Sequence, residues 1–537
     1  MADPAETGLK QHHMKTSTIV FMVFCLCAAG AYGIEEMIPQ AGPGLTIVML
    51  MVLPFVWSTP MGLIASELGS AIPQEGGYYK WVQRACGEFW GFQAGWWRTL
   101  SIYFDNTIYV VLAGSYLASV ADLSGLEEYT FKALVIIFFT YINIRGIKDV
   151  GAVSTVISIL VMFAFAAVAV VGFANWQSNP FVPFIPPDRT LLQSIGSGLA
   201  IGMWMYSGYE SMSTVAGEIE NPQVIPRATL ITMPLIMLVY ILPTMGGLAS
   251  LGNWSQWASD GGLSYSDVVT QVAPAFGVFF VFVAVIAQFS IFNTYIASGS
   301  RGFFALAEDN LAPRALVKCS EGRGVPYVAV LSLGIFSLIV CMFPFGAIVV
   351  VDMVLLMSAY ALIFVSACIL RVREGSLARP FRVPFGTKGF VAMCIPPLLI
   401  TFVALFINGT DYFVGGLIAL VTGPIAYFIF RRAYGGLTAV DPVKHPANLR
   451  TKLAVGDTKR MAWMFGGLAA IGMIGVFFLP WYDDPQVYAE TYGIEGFFAI
   501  LMQAVRWMTA ISGALAVALG ILARRVEPRD RGAPAPI

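Results

Sequence analysis

Charge is scarce in this chain. Of its 537 residues only 12% are Asp, Glu, Lys or Arg, against 57% apolar, a balance with too little polar surface to cover a soluble globule. Histidine is scarcer still, at three residues, and His12, His13 and His445 all fall outside the apolar runs. There is no HExxH pair and no GxSxG elbow, which removes the usual signals of a zinc protease or a serine hydrolase. The seven cysteines, Cys25, Cys27, Cys86, Cys319, Cys341, Cys368 and Cys394, include no CxxC pair, so neither a disulfide framework nor structural zinc is expected. The net charge of −1 argues neither for nor against a nucleic acid, but the basic residues are spread over short loops and form no stripe, so no nucleic-acid partner is expected. The first apolar run, Thr18 to Ile38, is too long for a signal peptide and has no small-residue cleavage site before the next run, so it is expected to stay as the first span.

What is present is a series of apolar runs of about 20 residues, the length a helix needs to cross a bilayer. Hydropathy predicts fourteen spans, at 17–38, 44–70, 92–120, 130–147, 150–174, 192–219, 228–251, 276–309, 327–345, 347–371, 388–407, 413–432, 461–480 and 497–524. The Lys and Arg residues between them, among them Arg84, Arg145, Arg227, Arg314, Arg371, Arg432 and Arg524, alternate onto one side. Asp122, Glu127, Asp260, Asp411 and Asp483 fall on the other. The positive-inside rule then places both termini in the cytoplasm, with a cell membrane as the expected location.

Two spans differ from the rest. Span 1 is interrupted at Gly30-Ala31-Tyr32-Gly33-Ile34-Glu35-Glu36, and span 6 at Tyr206-Ser207-Gly208-Tyr209-Glu210. A carboxylate at mid-membrane costs roughly 2.5–3.5 kcal/mol on insertion scales and normally faces a bundle interior or a wet cavity. Corresponding breaks five spans apart point to an inverted repeat, in which unwound backbone N–H and C=O groups meet the substrate at the repeat interface. The glycines alone are equally consistent with close helix packing.

Three further segments carry a resemblance. They are residues 65–78 (ASELGSAIPQEGGY) with 89–96 (FWGFQAGW), residues 213–222 (STVAGEIENP), and residues 297–313 (ASGSRGFFALAEDNLAP). Together they resemble the amino acid–polyamine–organocation superfamily over roughly residues 15–435, in wording closest to its polyamine-uptake branch. The resemblance implies an all-α membrane protein of the LeuT type, a 5+5 inverted repeat with helices 1 and 6 broken, twelve core spans and two extra C-terminal helices. The expected division is a tail at 1–16, the transport core at 17–375, peripheral spans at 376–435, a linker at 436–460, the extra spans at 461–525 and a tail at 526–537. The implied activity is secondary transport of amino acids or polyamines by alternating access, as a proton symporter, with exchange on the same fold as the alternative. No enzyme activity and no cofactor are expected. A proton gradient is the expected driving force, and Ser298 and Ser300 keep sodium open as an alternative.

By similarity to arginine/agmatine antiporters, Trp204, Tyr295 and Asn106 match substrate contacts and Glu210 a glutamate of gating and pH response. The unwound segments add Ala31, Tyr32, Gly33, Ser207 and Gly208 as expected substrate contacts. Span 1 departs from the family's Gly-x-Gly-Ile-Phe wording in reading Ala31-Tyr32-Gly33-Ile34-Glu35-Glu36. Polyamine-uptake relatives also carry acids after this glycine and an Asp-Asn pair like Asp105-Asn106. Glu35, Glu36, Asp105 and Glu210 are therefore the expected gating or proton-coupling groups. With Arg98 and Arg145 read as lying toward the cytoplasm, the pocket is expected to hold acids without bases and to favour an ammonium. Glu67 and Glu218, at the ends of spans 2 and 6, read as structural caps. A nutrient sensor signalling through the linker is the rival of another class. The expected partners are the small substrate and the lipid bilayer. No cysteine lies between 121 and 130 to tether a disulfide-linked heavy chain.

Overall fold

A computed structural model describes residues 16–27, 30–74, 76–121, 123–145, 150–209, 224–258, 262–320 and 324–526. Among these residues the backbone is helix joined by turns, with isolated bridges in place of any strand. The helices run, in order, α1 (Thr16–Cys27), α2 (Ile34–Ala41), α3 (Pro43–Ala71), α4 (Tyr78–Cys86), α5 (Glu88–Ala121), α6 (Gly125–Arg145), α7 (Val150–Ala174), α8 (Leu191–Met205) and α9 (Val224–Leu251). They continue as α10 (Tyr265–Thr270), α11 (Pro274–Glu308), α12 (Tyr327–Val340), α13 (Phe345–Arg373), α14 (Gly386–Ile407), α15 (Thr410–Tyr434), α16 (Asp457–Tyr482), α17 (Pro485–Tyr492) and α18 (Phe497–Val526). Each of the fourteen predicted ranges overlaps a helix. Among the described residues, nine helices are long and apolar enough to cross a membrane.

The first span is two helices. α1 stops at Cys27 and α2 restarts at Ile34, with Gly33 at φ +92° immediately before it. That conformation is open to glycine and strained for other residues. The break is shorter than the sequence suggests: Glu35 and Glu36 lie in the first turn of α2, where carboxylates complement the helix N-terminus. α8 begins at a Thr190–Gln193 capping box and ends at Met205, after which residues 206–209 leave the helix and Gly208 takes φ +102°. Glu210 and the segment 213–222 lie outside the described residues.

Small residues let the two broken spans and their neighbours approach closely. A Cβ on Gly198 or Gly202 of α8 would come within 2.7 Å of Ala41 or Leu53 respectively, so α2 and α3 lie directly on α8. A Cβ on Gly172 would fall 2.3 Å from the Gly246 carbonyl carbon, which places the backbones of α7 and α9 in contact. α5 runs through the middle of the bundle, packed on both α11 and α13.

Charged side chains at the helix ends tie the elements together. Glu67 at the end of α3 is buried against Arg371 of α13 at 2.5 Å and Arg379 at 2.9 Å, and it accepts the Val383 N–H at 2.8 Å. Lys80 of α4 meets Asp309, just past α11, at 2.5 Å, with the Tyr79 hydroxyl on the same carboxylate. The C-terminal hairpin of α16 and α18 docks in the same way. The Tyr427 hydroxyl bridges Asp457 to Glu88 at the start of α5, and Glu88 also pairs with Arg431 at 2.5 Å. At the opposite end Asp483 accepts from Thr410 and from the Tyr488 hydroxyl at 2.8 Å.

Candidate functional site

The two breaks come together over α5. A cavity there is lined by Cys27 at the end of α1, by Arg98, Asp105 and Tyr109 of α5, and by Trp204, Met205, Ser207 and Gly208 at the second break. Tyr240 of α9, Tyr295 of α11 and Leu356 of α13 complete the wall. Residues 98, 101, 105 and 109 are three or four positions apart, so they share one face of α5. That face is turned to the cavity.

Asp105 is the acid of this wall. Its Oδ1 accepts the Trp204 Nε1–H at 2.8 Å, and it is buried. Tyr109, Tyr295 and Arg98 line the same cavity. The rings form a wall around that carboxylate: Tyr109 lies 5.9 Å from Trp204 and 5.4 Å from Tyr295, centroid to centroid, and Trp204 meets Phe345 edge-on at 5.6 Å. A carboxylate ringed by aromatic faces suits an ammonium, which gains from both the charge and the ring quadrupoles.

The second break is held by side chains from other helices, which satisfy the groups the helix no longer pairs. The Tyr240 hydroxyl donates to the Met205 carbonyl at 3.0 Å, and the Gly208 N–H donates to the Tyr360 hydroxyl at 3.3 Å. Ser207 Oγ donates to the Met203 carbonyl and accepts the Trp57 indole N–H at 3.2 Å. Trp57 reaches it from a π-helical turn at Pro54–Ser58 inside α3, where Pro54 supplies no N–H of its own. Trp57 also stacks on Tyr360 at 5.5 Å.

The first break forms an adjoining layer. Gly33 rests on the aromatic wall, since a Cβ there would lie 2.9 Å from Phe345 and 3.4 Å from Trp204. Glu35 is fully buried; its Oε2 accepts the Gly33 N–H at 2.9 Å and its Oε1 the Tyr116 hydroxyl at 2.6 Å. Neither donor is a base. Tyr32 packs edge-on against Tyr116 and Phe165, and its hydroxyl has no partner among the described residues.

Of the residues predicted from sequence, Asp105, Trp204, Ser207, Gly208 and Tyr295 line the cavity. Ala31, Tyr32, Gly33 and Glu35 are buried in the layer beside it, and Glu36 is half-buried in the first turn of α2. Asn106 is fully buried next to the cavity, and neither of its amide atoms is hydrogen-bonded among the described residues. Ser300 donates to the Ala297 carbonyl of its own helix. One expectation is overturned: the pocket is not free of bases, because Arg98 lines the same cavity as Asp105. It sits two turns before Asp105 on one helix, which places both on one wall instead of sending Arg98 to the membrane surface. Sequence reasoning also missed Asp352, a buried carboxylate on α13 that accepts from Ser101 at 2.5 Å. Its signal was available as a lone acid in the apolar run Val349-Val350-Val351-Asp352-Met353-Val354.

A family model described as amino acid permease matches residues 14–430. This chain belongs to the amino acid permease family. Polyamine transporter PUT1 of Oryza sativa subsp. japonica is 31% identical, the match covering 75% of this chain and 76% of that protein. Polyamine transporter RMV1 of Arabidopsis thaliana is 30% identical, over 78% of this permease and 86% of its relative. In architecture the permease is similar to MhsT, solved in complex with L-phenylalanine, with a TM-score of 0.57 at 12% identity, over 75% of this chain and all of that one. At that identity the likeness shows the fold, the LeuT type, with broken first and sixth spans. The chain is a membrane carrier of the amino acid and polyamine class, not an enzyme.

Proposed function

We propose that this permease takes up amines, polyamines ahead of amino acids, through the cavity at Asp105 by alternating access and in symport with protons. The observation that carries the reading is Asp105 itself. It is a buried carboxylate on the cavity wall, held by an indole N–H and sharing that wall with Trp204, Tyr109 and Tyr295. An ammonium entering that wall exchanges its water for a carboxylate and three aromatic faces, and a desolvated cation–π contact adds roughly 2 kcal/mol. The polyamine names of the rice and Arabidopsis relatives agree with this preference.

Glu35 is the proposed proton carrier. It is a fully buried carboxylate at the first break, its partners are a backbone N–H and a phenol, and the Gly33 backbone links it to the Trp204 wall. A proton taken up there changes the charge of the break without touching the cargo site. The reading places the carrier in the cell membrane, with both termini in the cytoplasm.

Reconstitution in liposomes with labelled putrescine, arginine and leucine, with and without an inward proton gradient and with and without sodium, tests all of this. Gradient-driven putrescine uptake that arginine and leucine compete for weakly is the expected result. Uptake indifferent to the gradient removes proton coupling, and uptake that requires amine preloaded inside makes the permease an exchanger.

A further inference from the structure

The matching family model stops at residue 430, so the linker and the hairpin of α16 and α18 lie outside it. That hairpin leans lightly on the core. In the apolar stretch of α18 17% is buried, against 50% in that of α15, so most of α18 is left to lipid. The linker folds back onto the ends of the helices it joins. Its residues 446–455 form a short hairpin, closed by the Ala447–Ala454 bridge and by the Asn448 N–H donating to the Leu453 carbonyl at 2.8 Å. Arg432, in the last turn of α15, donates its Nε–H to the Thr451 carbonyl at 3.2 Å, and Asn448 Nδ2 donates to the Val526 carbonyl at the end of α18 at 2.8 Å. α16 packs along α18 and starts at that same end.

The side chains brought together there are basic. Arg432, Arg450, Lys452, Lys459, Arg524 and Arg525 are exposed. The acids of the same stretch are engaged: Asp457 is buried and meets Arg460 at 2.6 Å, and Asp441 accepts the Val443 and Lys444 N–H groups at 3.1 and 3.0 Å. Beyond Val526 the sequence adds Glu527 and Asp530 together with Arg529 and Arg531, which leaves the basic excess as it is. Two of the cations show which way the surface faces. Arg432 lies over the Phe428 ring at 4.6 Å and Lys459 over the Trp463 ring at 5.1 Å. Each ring is one turn deeper in its span, and Phe428 is 40% and Trp463 63% exposed. A cation over an exposed ring at the end of a span lies at headgroup depth on the rim of the bundle. The tip of the linker hairpin adds Leu449, 97% exposed, beside Arg450. An apolar tip among cations suits the boundary between headgroups and acyl chains.

We propose that this corner, formed by the ends of α15, α16 and α18 and by the tip of the linker hairpin, binds the headgroups of anionic phospholipids, and that bound lipid fastens the C-terminal hairpin to α15. Guanidinium and ammonium groups recognise the phosphate, and the net negative charge of the lipid gives an attraction that a zwitterionic headgroup does not return. Leu449 and the two rings meet the acyl chains, which a soluble anion lacks. The lipid acts where contacts within the protein are fewest, along α18. The inference is independent of the cargo.

The test uses the full-length permease in a neutral detergent, titrated with phosphatidylglycerol, with phosphatidylcholine or with inorganic phosphate. Native mass spectrometry reads retained lipid, and tryptophan fluorescence reads the melting temperature. Phosphatidylglycerol is expected to be retained and to raise the melting temperature, and the other two are not. Arg450→Gln with Lys452→Asn removes two exposed cations, asparagine being a residue type that tolerates the φ of +59° at position 452. This pair is expected to weaken phosphatidylglycerol binding roughly 20-fold, about fivefold for each cation lost. Its melting temperature without lipid should stay at the wild-type value. The control pair, Arg314→Gln with Lys318→Gln, takes the same charge from exposed positions after α11, at the same end of the bundle, where the Gly436 N–H donates to the Asn310 carbonyl at 3.1 Å. It is expected to bind lipid as the wild type does. Equal retention of the two lipids overturns the proposal, and so does an equal loss in the control pair, which would make the attraction one of overall charge. Inorganic phosphate that stabilises as phosphatidylglycerol does also overturns it, because the site would then serve a free anion. If the first pair disturbs the linker, Arg524→Gln with Arg525→Gln reads the same loss from α18, and wild-type binding in that pair overturns the proposal.

Discussion

Two sets of buried charge in this permease use similar residues to opposite ends. At the end of α3, Glu67 faces Arg371 and Arg379, and both of its oxygens are occupied: Oε1 by the two guanidiniums at 2.5 and 2.9 Å and Oε2 by the Val383 N–H at 2.8 Å. In the central cavity, Asp105 accepts an indole N–H, while the arginine on its own wall donates to Ser101. The first set joins α3, α13 and the loop after it, with both carboxylate oxygens engaged. The second holds its acid with a neutral indole N–H, which an arriving ammonium can supplement. A buried carboxylate satisfied by arginines is a clamp, and one held by a neutral donor on a cavity wall is a site.

The sharpest break between the two is Glu67→Ala. Removing the acid strands two guanidiniums in a dry environment, and taking one partner from a buried ion pair costs about 3–5 kcal/mol. The expected outcome is a marked fall in the melting temperature of the detergent-solubilised protein, followed by intrinsic tryptophan fluorescence. The surviving fraction should keep the wild-type order of amine and amino acid competitors. A variant as stable as the wild type would mean that the clamp does not hold the ends of α3 and α13 together.

Asp105→Asn should do the reverse. Its shape is kept and its neutral donor remains available, so the melting temperature is expected to stay near wild type. Its charge is lost to the cargo, and truncating one partner of a buried charged pair costs about 2–5 kcal/mol. That is a rise in KM for putrescine of roughly 30-fold or more. Initial uptake rates across a substrate series read it directly, and a KM within twofold of wild type would remove Asp105 from the cargo site.

Much of this comparison was legible before any coordinates, and the part that was not has a physical cause. The spans were readable because a bilayer imposes one length on every apolar helix, and the breaks because glycine and carboxylate rarely share a membrane helix without a reason. Trp204, Ser207, Gly208 and Tyr295 were reachable because the breaks and the family wording pointed at them. Arg98 was misplaced because hydropathy reports where a span begins and ends, not which way a side chain turns inside the bundle. Its i+7 relation to Asp105 was the available clue, and it becomes informative once α5 is seen to have a face on the cavity. Asp352 and Trp57 were missed for a related reason. Each acts on another helix, Asp352 through Ser101 and Trp57 through a π-helical turn that no residue pattern announces.

Trp204→Phe isolates the neutral donor at the site. The ring stays in the wall and the indole N–H to Asp105 is lost, a hydrogen bond to a charged group worth about 1.5–3 kcal/mol. Putrescine KM is expected to rise roughly tenfold, less than for Asp105→Asn, with stability little changed. An effect equal to that of Asp105→Asn would show that the indole orders the carboxylate completely, and no effect would place the Trp204 contribution in its face alone.

The smallest expected effect belongs to Tyr240→Phe, which touches the break without touching charge. The phenol donates to the Met205 carbonyl at 3.0 Å where α8 ends. Its loss removes a neutral hydrogen bond worth about 0.5–1.5 kcal/mol net. Because the ring and its packing against Tyr206 at 5.2 Å remain, substrate affinity is expected to hold. The change should fall on the maximal rate, by roughly twofold to tenfold, since the carbonyl it supports lies where α8 unwinds and that segment must rearrange for the cavity to open to the two sides in turn. Concentration dependence of putrescine uptake separates the two: a shift in KM with an unchanged maximal rate would make Tyr240 part of the cargo wall, whereas a shift in the rate alone makes it a support of the break.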